Sequence, residues 1–233
     1  LLTGELFFYI NASLKELKKG YFNMRLQANY DRKVPNVILK LLKKRGIDNV
    51  NDFLSEDLKQ LPNLTGLKDL EKSSDRVIQA IKNQEKIAIY GDYDVDGTTS
   101  CALLFHFFKS IQVEVKCIQP SRFIEGYGIH PPTIDQAIKE NIKVLITVDC
   151  GITNNETADY ARERGLDLII TDHHKDAREE MPNAYAVVNP NRRDEDLNSP
   201  MVSLAGVAVA FCLSWKIKNE LDPSLTFRRS CRE

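Results

Sequence analysis

Residues 87–100 read Ile87-Ala88-Ile89-Tyr90-Gly91-Asp92-Tyr93-Asp94-Val95-Asp96-Gly97-Thr98-Thr99-Ser100, and how that stretch is parsed decides the fold. Ile87 to Tyr90 is a short continuous apolar run, the pattern of a buried strand. Gly91 breaks it, three carboxylates follow at alternate positions, Gly97 lets the backbone turn, and Thr98 to Lys109 has a helical pattern. Acids on the loop at the carboxyl end of a strand sit where open α/β sheets place their sites. Three carboxylates this close repel one another unless a cation neutralises them, and oxygen ligands suit hard divalent ions. A solvated acidic turn or a helix N-cap would use the same residues. An EF-hand calcium loop would not, because the twelfth position from Asp92 is Leu103 where that loop needs Glu.

On either side of this stretch, strands and helices alternate. Before it, Pro35 to Arg45 has apolar residues at helical spacing with a Gly46 stop, Val50 to Leu61 reads as a short helix and a loop, and Leu67 to Asn83 is amphipathic. After it come a strand at Val113 to Ile118, a polar loop from Gln119 to His130 and a helix at Pro132 to Glu140. Next are a strand at Val144 to Val148 and a helix at Thr153 to Arg164, opened by a capping box of Thr153 and Glu156. Strands at Leu168 to Ile170 and Tyr185 to Val188 follow, then a long apolar helix from Val202 to Lys218. Continuous apolar strands separated by helices predict an α/β fold: a parallel five-stranded sheet with helices on both faces, preceded by a short helical N-terminal segment.

The 233 residues, 42% of them hydrophobic, suffice for one large domain or one domain with an appendage. No 18-residue apolar run predicts a membrane span, and the apolar residues 1–10 lack the basic flank and small-residue cleavage site of a signal peptide. Five cysteines without a C-x-x-C pair predict free buried thiols in a reducing compartment, hence a cytoplasmic protein. A net charge of −1 says little about partners, since a nucleic-acid binder needs only a local basic patch.

Three predicted strands end in acids or histidines: Asp92, Asp94 and Asp96 after the first, Asp149 after the third, and Asp172, His173 and His174 after the fourth. A parallel sheet brings these ends to one edge, and mixed oxygen and nitrogen ligands suit Mn²⁺, Mg²⁺ or Zn²⁺ better than Ca²⁺. Asp149 could merely cap a turn, and either histidine alone is more often a satisfied surface residue. Two adjacent histidines at an acid-tipped edge favour metal. Paired metals are the usual device for attack on phosphorus, making phosphoester or phosphoanhydride hydrolysis the leading class. In the loop Pro120-Ser121-Arg122-Phe123-Ile124-Glu125-Gly126-Tyr127-Gly128-Ile129-His130, Arg122 is a candidate phosphate clamp, Phe123 and Tyr127 are base-stacking candidates, and His130 is either a phosphate contact or the residue before the helix. The aromatics could equally fill the core. In Asn189-Pro190-Asn191-Arg192-Arg193, the arginines could hold phosphate or form a solvated charged turn.

Gly91 to Gly97, Thr147-Val148-Asp149-Cys150-Gly151 and Thr171-Asp172-His173-His174 resemble, in order and spacing, the motifs of the DHH phosphoesterase superfamily. Pro120-Ser121-Arg122, Glu125-Gly126-Tyr127-Gly128, the segment Leu204 to Phe211 and the lead-in Val34 to Ile47 are similar to its RecJ-like branch, single-strand-specific 5′→3′ exonucleases. The resemblance covers residues 34–220. It implies a two-metal Mn²⁺ or Mg²⁺ site with Asp94, Asp96, Asp149 and His173 as ligands and Asp149 bridging. It further implies Asp92 as ligand or acid–base support, His174 near the substrate phosphate, and Asp172 orienting a histidine. The implied substrate is single-stranded DNA, in DNA repair and recombination, with no membrane association. Single-strand-binding protein or helicase partners would act through regions outside this chain.

On this reading residues 1–34 are an N-terminal extension, 35–84 a helical lead-in, 85–220 the DHH catalytic domain and 221–233 a non-matching tail. The chain opens on Leu1 and lacks the further Asp, the DHHA1 domain and the OB-fold of RecJ-like proteins, so it reads as a truncated catalytic part. Two rivals stand beside it. One is a DHH phosphoesterase on short oligonucleotides, adenosine bisphosphate or cyclic dinucleotides. The other is a catalytically inactive module that binds single strands or a replication partner.

Overall fold

The computed structural model describes residues 34–54, 64, 66–120, 128–175, 180–196 and 198–221. The chain divides into two compact units, Leu1–Gln60 and Leu61–Glu233. In the first, α1 (Asn36–Lys44) and the single turn α2 (Val50–Phe53) are described. Gly46 ends α1 as the sequence predicts: at φ 75° its amide reaches the Lys43 carbonyl, and the Ile47 amide reaches Leu42 at 3.1 Å. That pair of bonds is the Schellman arrangement, which needs a left-handed residue best supplied by glycine.

The second unit is built from α3 (Leu70–Lys82), β1 (Lys86–Gly91), α4 (Val95–Ser110), β2 (Val115–Ile118), α5 (Pro131–Lys139), β3 (Ile142–Val148), α6 (Asn155–Glu163), β4 (Asp167–Thr171), β5 (Ala186–Val188), a 3₁₀ turn at Pro200–Ser203, and α7 (Gly206–Leu221). The five strands form one sheet in the order β2-β1-β3-β4-β5, every pair parallel.

Alternation along β1 assigns the two cores. Ile87 and Ile89 face a cluster with Val77 and Ile78 of α3, Leu104 and Phe108 of α4, and Val209, Leu213 and Ile217 of α7. Ala88 and Tyr90 face the other way, onto Ile134 and Ala137 of α5 and Ala158 and Ala161 of α6. A parallel sheet buried on both faces should have strands apolar throughout, and β1 and β3 are buried at all but one position each. The edge strand β2 is not, and its Cys117 is exposed, against the expectation of buried thiols; Cys101, Cys150 and Cys212 are buried and free. Among the described residues, no helix is long and apolar enough to cross a membrane.

Arg76 joins the opposite ends of these elements. Its Nε donates to Asp167 Oδ2 and its Nη2 to Glu85 Oε2, both at 2.6 Å, tying α3 to the starts of β1 and β4.

Three local expectations change. The helix after β1 starts at Val95, three residues earlier than read, because Asp94 caps it by accepting the Gly97 amide at 2.9 Å. The predicted capping box fails: α6 starts at Asn155, its N-cap is Asn154 and no side chain caps it, so Thr153 lies outside the helix. The predicted helix from Val202 is broken; a 3₁₀ turn ends at Ser203, Leu204 is extended, and α7 begins at Gly206. That break supplies part of the site.

Candidate metal centre

The strand order reverses at β1. From it the chain crosses to β2 on one side and later returns to β3 on the other, so the loops after β1 and β3 diverge and leave a crevice between them. The acids of those two loops meet there. One ligand atom each from Asp92, Asp94 and Asp149 lie within 4.8 Å of one another, as do atoms from Asp149, His173 and His174. Asp149 belongs to both groups.

Asp149 is held at a conformational cost. Its φ of 61° is left-handed, a region aspartate tolerates better than most residues, and its amide donates to the Thr171 carbonyl at 2.9 Å. Its side chain is 1% exposed, and neither carboxylate oxygen accepts a hydrogen bond. Burial first, then the neighbouring Asp96 and Asp94, push its carboxyl up to about 8. Asp92 is 4% exposed, with Oδ1 unpartnered; burial and then Asp94 raise it as well, against the Tyr93 amide.

His173 completes this picture. Its Nδ1 lies 3.0 Å from the Leu204 carbonyl, which can only accept, so Nδ1 carries the proton. In the neutral ring Nε2 is then a lone pair, and it faces Asp149 Oδ1 at 3.1 Å and Asp96 Oδ2 at 3.5 Å. An imidazole lone pair and a buried carboxylate oxygen facing each other at 3.1 Å need a proton or a cation between them, and a divalent cation there turns both into ligands. The residues therefore fit the metal that the sequence implies.

Asp172 orients the second histidine. Its Oδ1 accepts from the amides of His173 (2.7 Å) and His174 (3.1 Å) and from His174 Nδ1 (2.8 Å), while Oδ2 accepts from the Ile152 amide (2.9 Å). Burial acts to raise Asp172, but these bonds outweigh it and hold the carboxyl below its ordinary value. The hydrogen bond to Asp172 raises the half-exposed His174 imidazole.

Asp96 differs from the other acids. Its Oδ2 accepts the Gly206 amide at 2.7 Å and its Oδ1 the Val207 amide at 2.8 Å. The α7 N-terminus thus clamps the carboxylate through two otherwise unpaired helical donors and a favourable dipole. Asp96 lies outside both groups of converging ligand atoms, though beside His173. Glycine at 206 is required sterically, since a Cβ there would lie 2.5 Å from Asp149 Oδ1. At Gly97 a Cβ would meet the Asp92 backbone, at 2.5 Å from its carbonyl oxygen.

The structure thus brings together Asp92, Asp94, Asp96, Asp149, Asp172, His173 and His174. Arg122, Phe123 and Tyr127 lie outside the described residues. His130 is the backbone N-cap of α5, with Nε2 unpartnered. The phosphate reading of Arg192 is overturned: its guanidinium is bound to Asp69 Oδ2 (3.0 Å), Asp194 Oδ1 (2.8 Å) and the Val187 carbonyl (2.5 Å). Sequence reasoning missed the Leu204 carbonyl and the Gly206 and Val207 amides, because backbone groups leave no side-chain motif; the available signal was Gly206 itself, a poor interior helix residue in an apolar run.

Residues 86–227 match the family model described as DHH family, N-terminal domain. The chain is 38% identical over 192 residues to the single-stranded-DNA-specific exonuclease RecJ of Bacillus subtilis, covering 81% of this chain and 24% of that protein. It is 33% identical to the exonuclease of the same name from Escherichia coli, over 83% of this chain and 33% of that protein. It therefore spans about a quarter to a third of the length of these curated relatives. A crystal structure of exonuclease RecJ bound to manganese superposes with a TM-score of 0.61 at 31% identity, over 69% of this chain and 40% of the other. RecJ of Thermus thermophilus in complex with Mn²⁺ gives 0.60 at 27%, over 77% of this chain and 24% of the other. With its acid-tipped strands meeting at the switch point and the matched model spanning more than half its length, the chain belongs to the DHH family.

Proposed function

We propose that this chain carries the catalytic centre of a metal-dependent exonuclease that hydrolyses phosphodiesters of single-stranded DNA, in the RecJ manner. The observation that carries the reading is the sharing of Asp149, buried and without a hydrogen-bond donor, between two converging ligand groups. A carboxylate with one ligand group on each side would suit two cations, Mn²⁺ or Mg²⁺, and the similar RecJ structures are bound to manganese. Such a pair supplies Lewis-acid charge to the phosphoryl oxygens and a more acidic attacking water.

The chain's own residues then have distinct tasks. Asp94 and Asp92 would hold one cation, His173 the other, and Asp149 would be shared between them. Asp96, clamped by α7, holds negative charge beside His173 and completes the ligand set. His174, oriented by Asp172, faces a substrate phosphate, and Arg122 is its partner in that role. Phe123 and Tyr127 stack on bases. Residues 85–220 act as the catalytic domain and 35–84 as its lead-in. The protein works in the cytoplasm, in DNA repair and recombination, and the remainder of a longer protein supplies contacts to the strand and to single-strand-binding protein or a helicase.

The test is nucleotide release from 5′-phosphorylated single-stranded DNA with Mn²⁺, with chelator, and with D94A/D149N. Metal-dependent release that disappears in the variant supports the reading. Equal release from parent and variant contradicts it. A preference for dinucleotides over long strands would move the chain to the small-substrate branch of the family.

A further inference from the structure

The turn Asn189-Pro190-Asn191 follows β5, and the guanidinium of its neighbour Arg192 is engaged by Asp69, Asp194 and the Val187 carbonyl. The last backbone rung of the β4–β5 ladder is the Asp172 amide donating to the Val188 carbonyl at 3.0 Å. In a parallel register the next donor would be the amide of residue 190, and proline has none. Just beyond that rung, two side chains hold the backbone that follows Asp172. Asn189 Nδ2 donates to the His174 carbonyl at 3.0 Å, and Asn191 Nδ2 donates to the His173 carbonyl. Asn189 is 0% exposed.

An ordinary Asx turn explains only half of this. The Asn191 amide donating to Asn189 Oδ1 at 2.7 Å is that turn. That turn needs only the Asn189 side-chain oxygen and requires no acceptor for either side-chain NH₂ group, yet both donate to successive histidine carbonyls. The turn is itself anchored from behind: Arg192 Nη1 binds the Val187 carbonyl and Asp69 Oδ2, and Asp69 Oδ2 also accepts the Val187 amide at 3.1 Å. With the Asp172 carboxylate on the His173 and His174 amides, every backbone polar group of the histidine pair has a fixed partner.

We propose that Asn189 and Asn191 are positioning residues: beyond the point where Pro190 ends the ladder, their amide groups hold the His173 and His174 carbonyls and fix the backbone of the pair, so that both imidazoles stand at the metal centre. The inference rests on the metal reading above. Metal geometry tolerates displacements of about half an ångström, which is why groups supporting ligands affect affinity by about tenfold or more.

The experiment measures Mn²⁺ binding by electron paramagnetic resonance of the free ion, together with the melting temperature of metal-free protein, for the parent, N191A and N189A. Asn191 is only partly buried, so N191A is the variant expected to fold normally if N189A does not. The expected result is Mn²⁺ affinity about tenfold weaker in N191A, with a metal-free melting temperature within a few degrees of the parent. Unchanged Mn²⁺ affinity in N191A, whatever its melting temperature, overturns the proposal, because a merely structural turn would lose stability alone. A parent that takes up no Mn²⁺ overturns the metal reading itself and this inference with it.

Discussion

Replacing Asp149 by Asn should stabilise the metal-free protein. The carboxylate is 1% exposed, accepts no hydrogen bond, and is pushed up to about 8 by burial and by Asp96 and Asp94. A folded value raised above the unfolded one means the folded state keeps a proton that the unfolded chain has released. Stability is then greatest below about pH 4 and falls as pH rises towards about 8, by about 1.4 kcal/mol per pH unit for one proton. At pH 7, about three units above the ordinary value, the deficit reaches a ceiling of about 4 kcal/mol. Asparagine has nearly the same shape, no charge, and at least equal tolerance of the left-handed backbone at this position. For a chain of this size each kcal/mol moves the melting temperature by about 2–4 °C, so metal-free D149N should melt about 10 °C above the parent at pH 7. The difference should shrink towards pH 5. With Mn²⁺ the order should reverse, because the ion stabilises the parent and finds no bridge in the variant. Differential scanning fluorimetry across pH, with chelator and with Mn²⁺, reads all of this. A metal-free D149N that melts at or below the parent at every pH would refute the reasoning, by showing that the carboxylate is already compensated inside the fold.

Three further substitutions probe the supports. G206A places a methyl group against Asp149 Oδ1, so it should cost about 1–3 kcal/mol in urea unfolding and also remove most of the stabilisation by Mn²⁺. D96N puts an NH₂ group against one of the two α7 amides; hydrogen exchange at Gly206 and Val207 should accelerate, with a loss of about 1–3 kcal/mol. R76A strands Glu85 and Asp167 at the far end of the strands and should cost about 2 kcal/mol, while Mn²⁺ affinity measured below the transition stays at the parent value.

The parallel sheet was legible because β1, β3 and β4 are continuous apolar runs, and a strand buried on both faces leaves that mark. The acids and histidines were legible because side-chain ligands recur at strand ends. What was hidden is mostly backbone. The break at Leu204, which turns a carbonyl to His173 and two amides to Asp96, lies inside an apolar run that reads as one helix. Asp94 extends α4 backwards because one carboxylate serves as both cap and site acid. The pattern Thr153-x-x-Glu156 matches a capping box, but the segment after β3 spends Thr153 on the turn before the helix. Arg192 looked like a phosphate ligand because its partner Asp69 is more than a hundred residues away in sequence. Asn189 and Asn191 carried no signal beyond that of a turn.

A buried carboxylate shared by two ligand groups should make a two-cation site. The most direct test is an electron paramagnetic resonance titration with Mn²⁺ on the parent and on D149N. The expected result is two equivalents per parent chain, with the exchange-coupled signal of ions about 3.5–4 Å apart, and no coupled signal in D149N. A parent that binds a single uncoupled ion, or a coupled signal that survives in D149N, would contradict it.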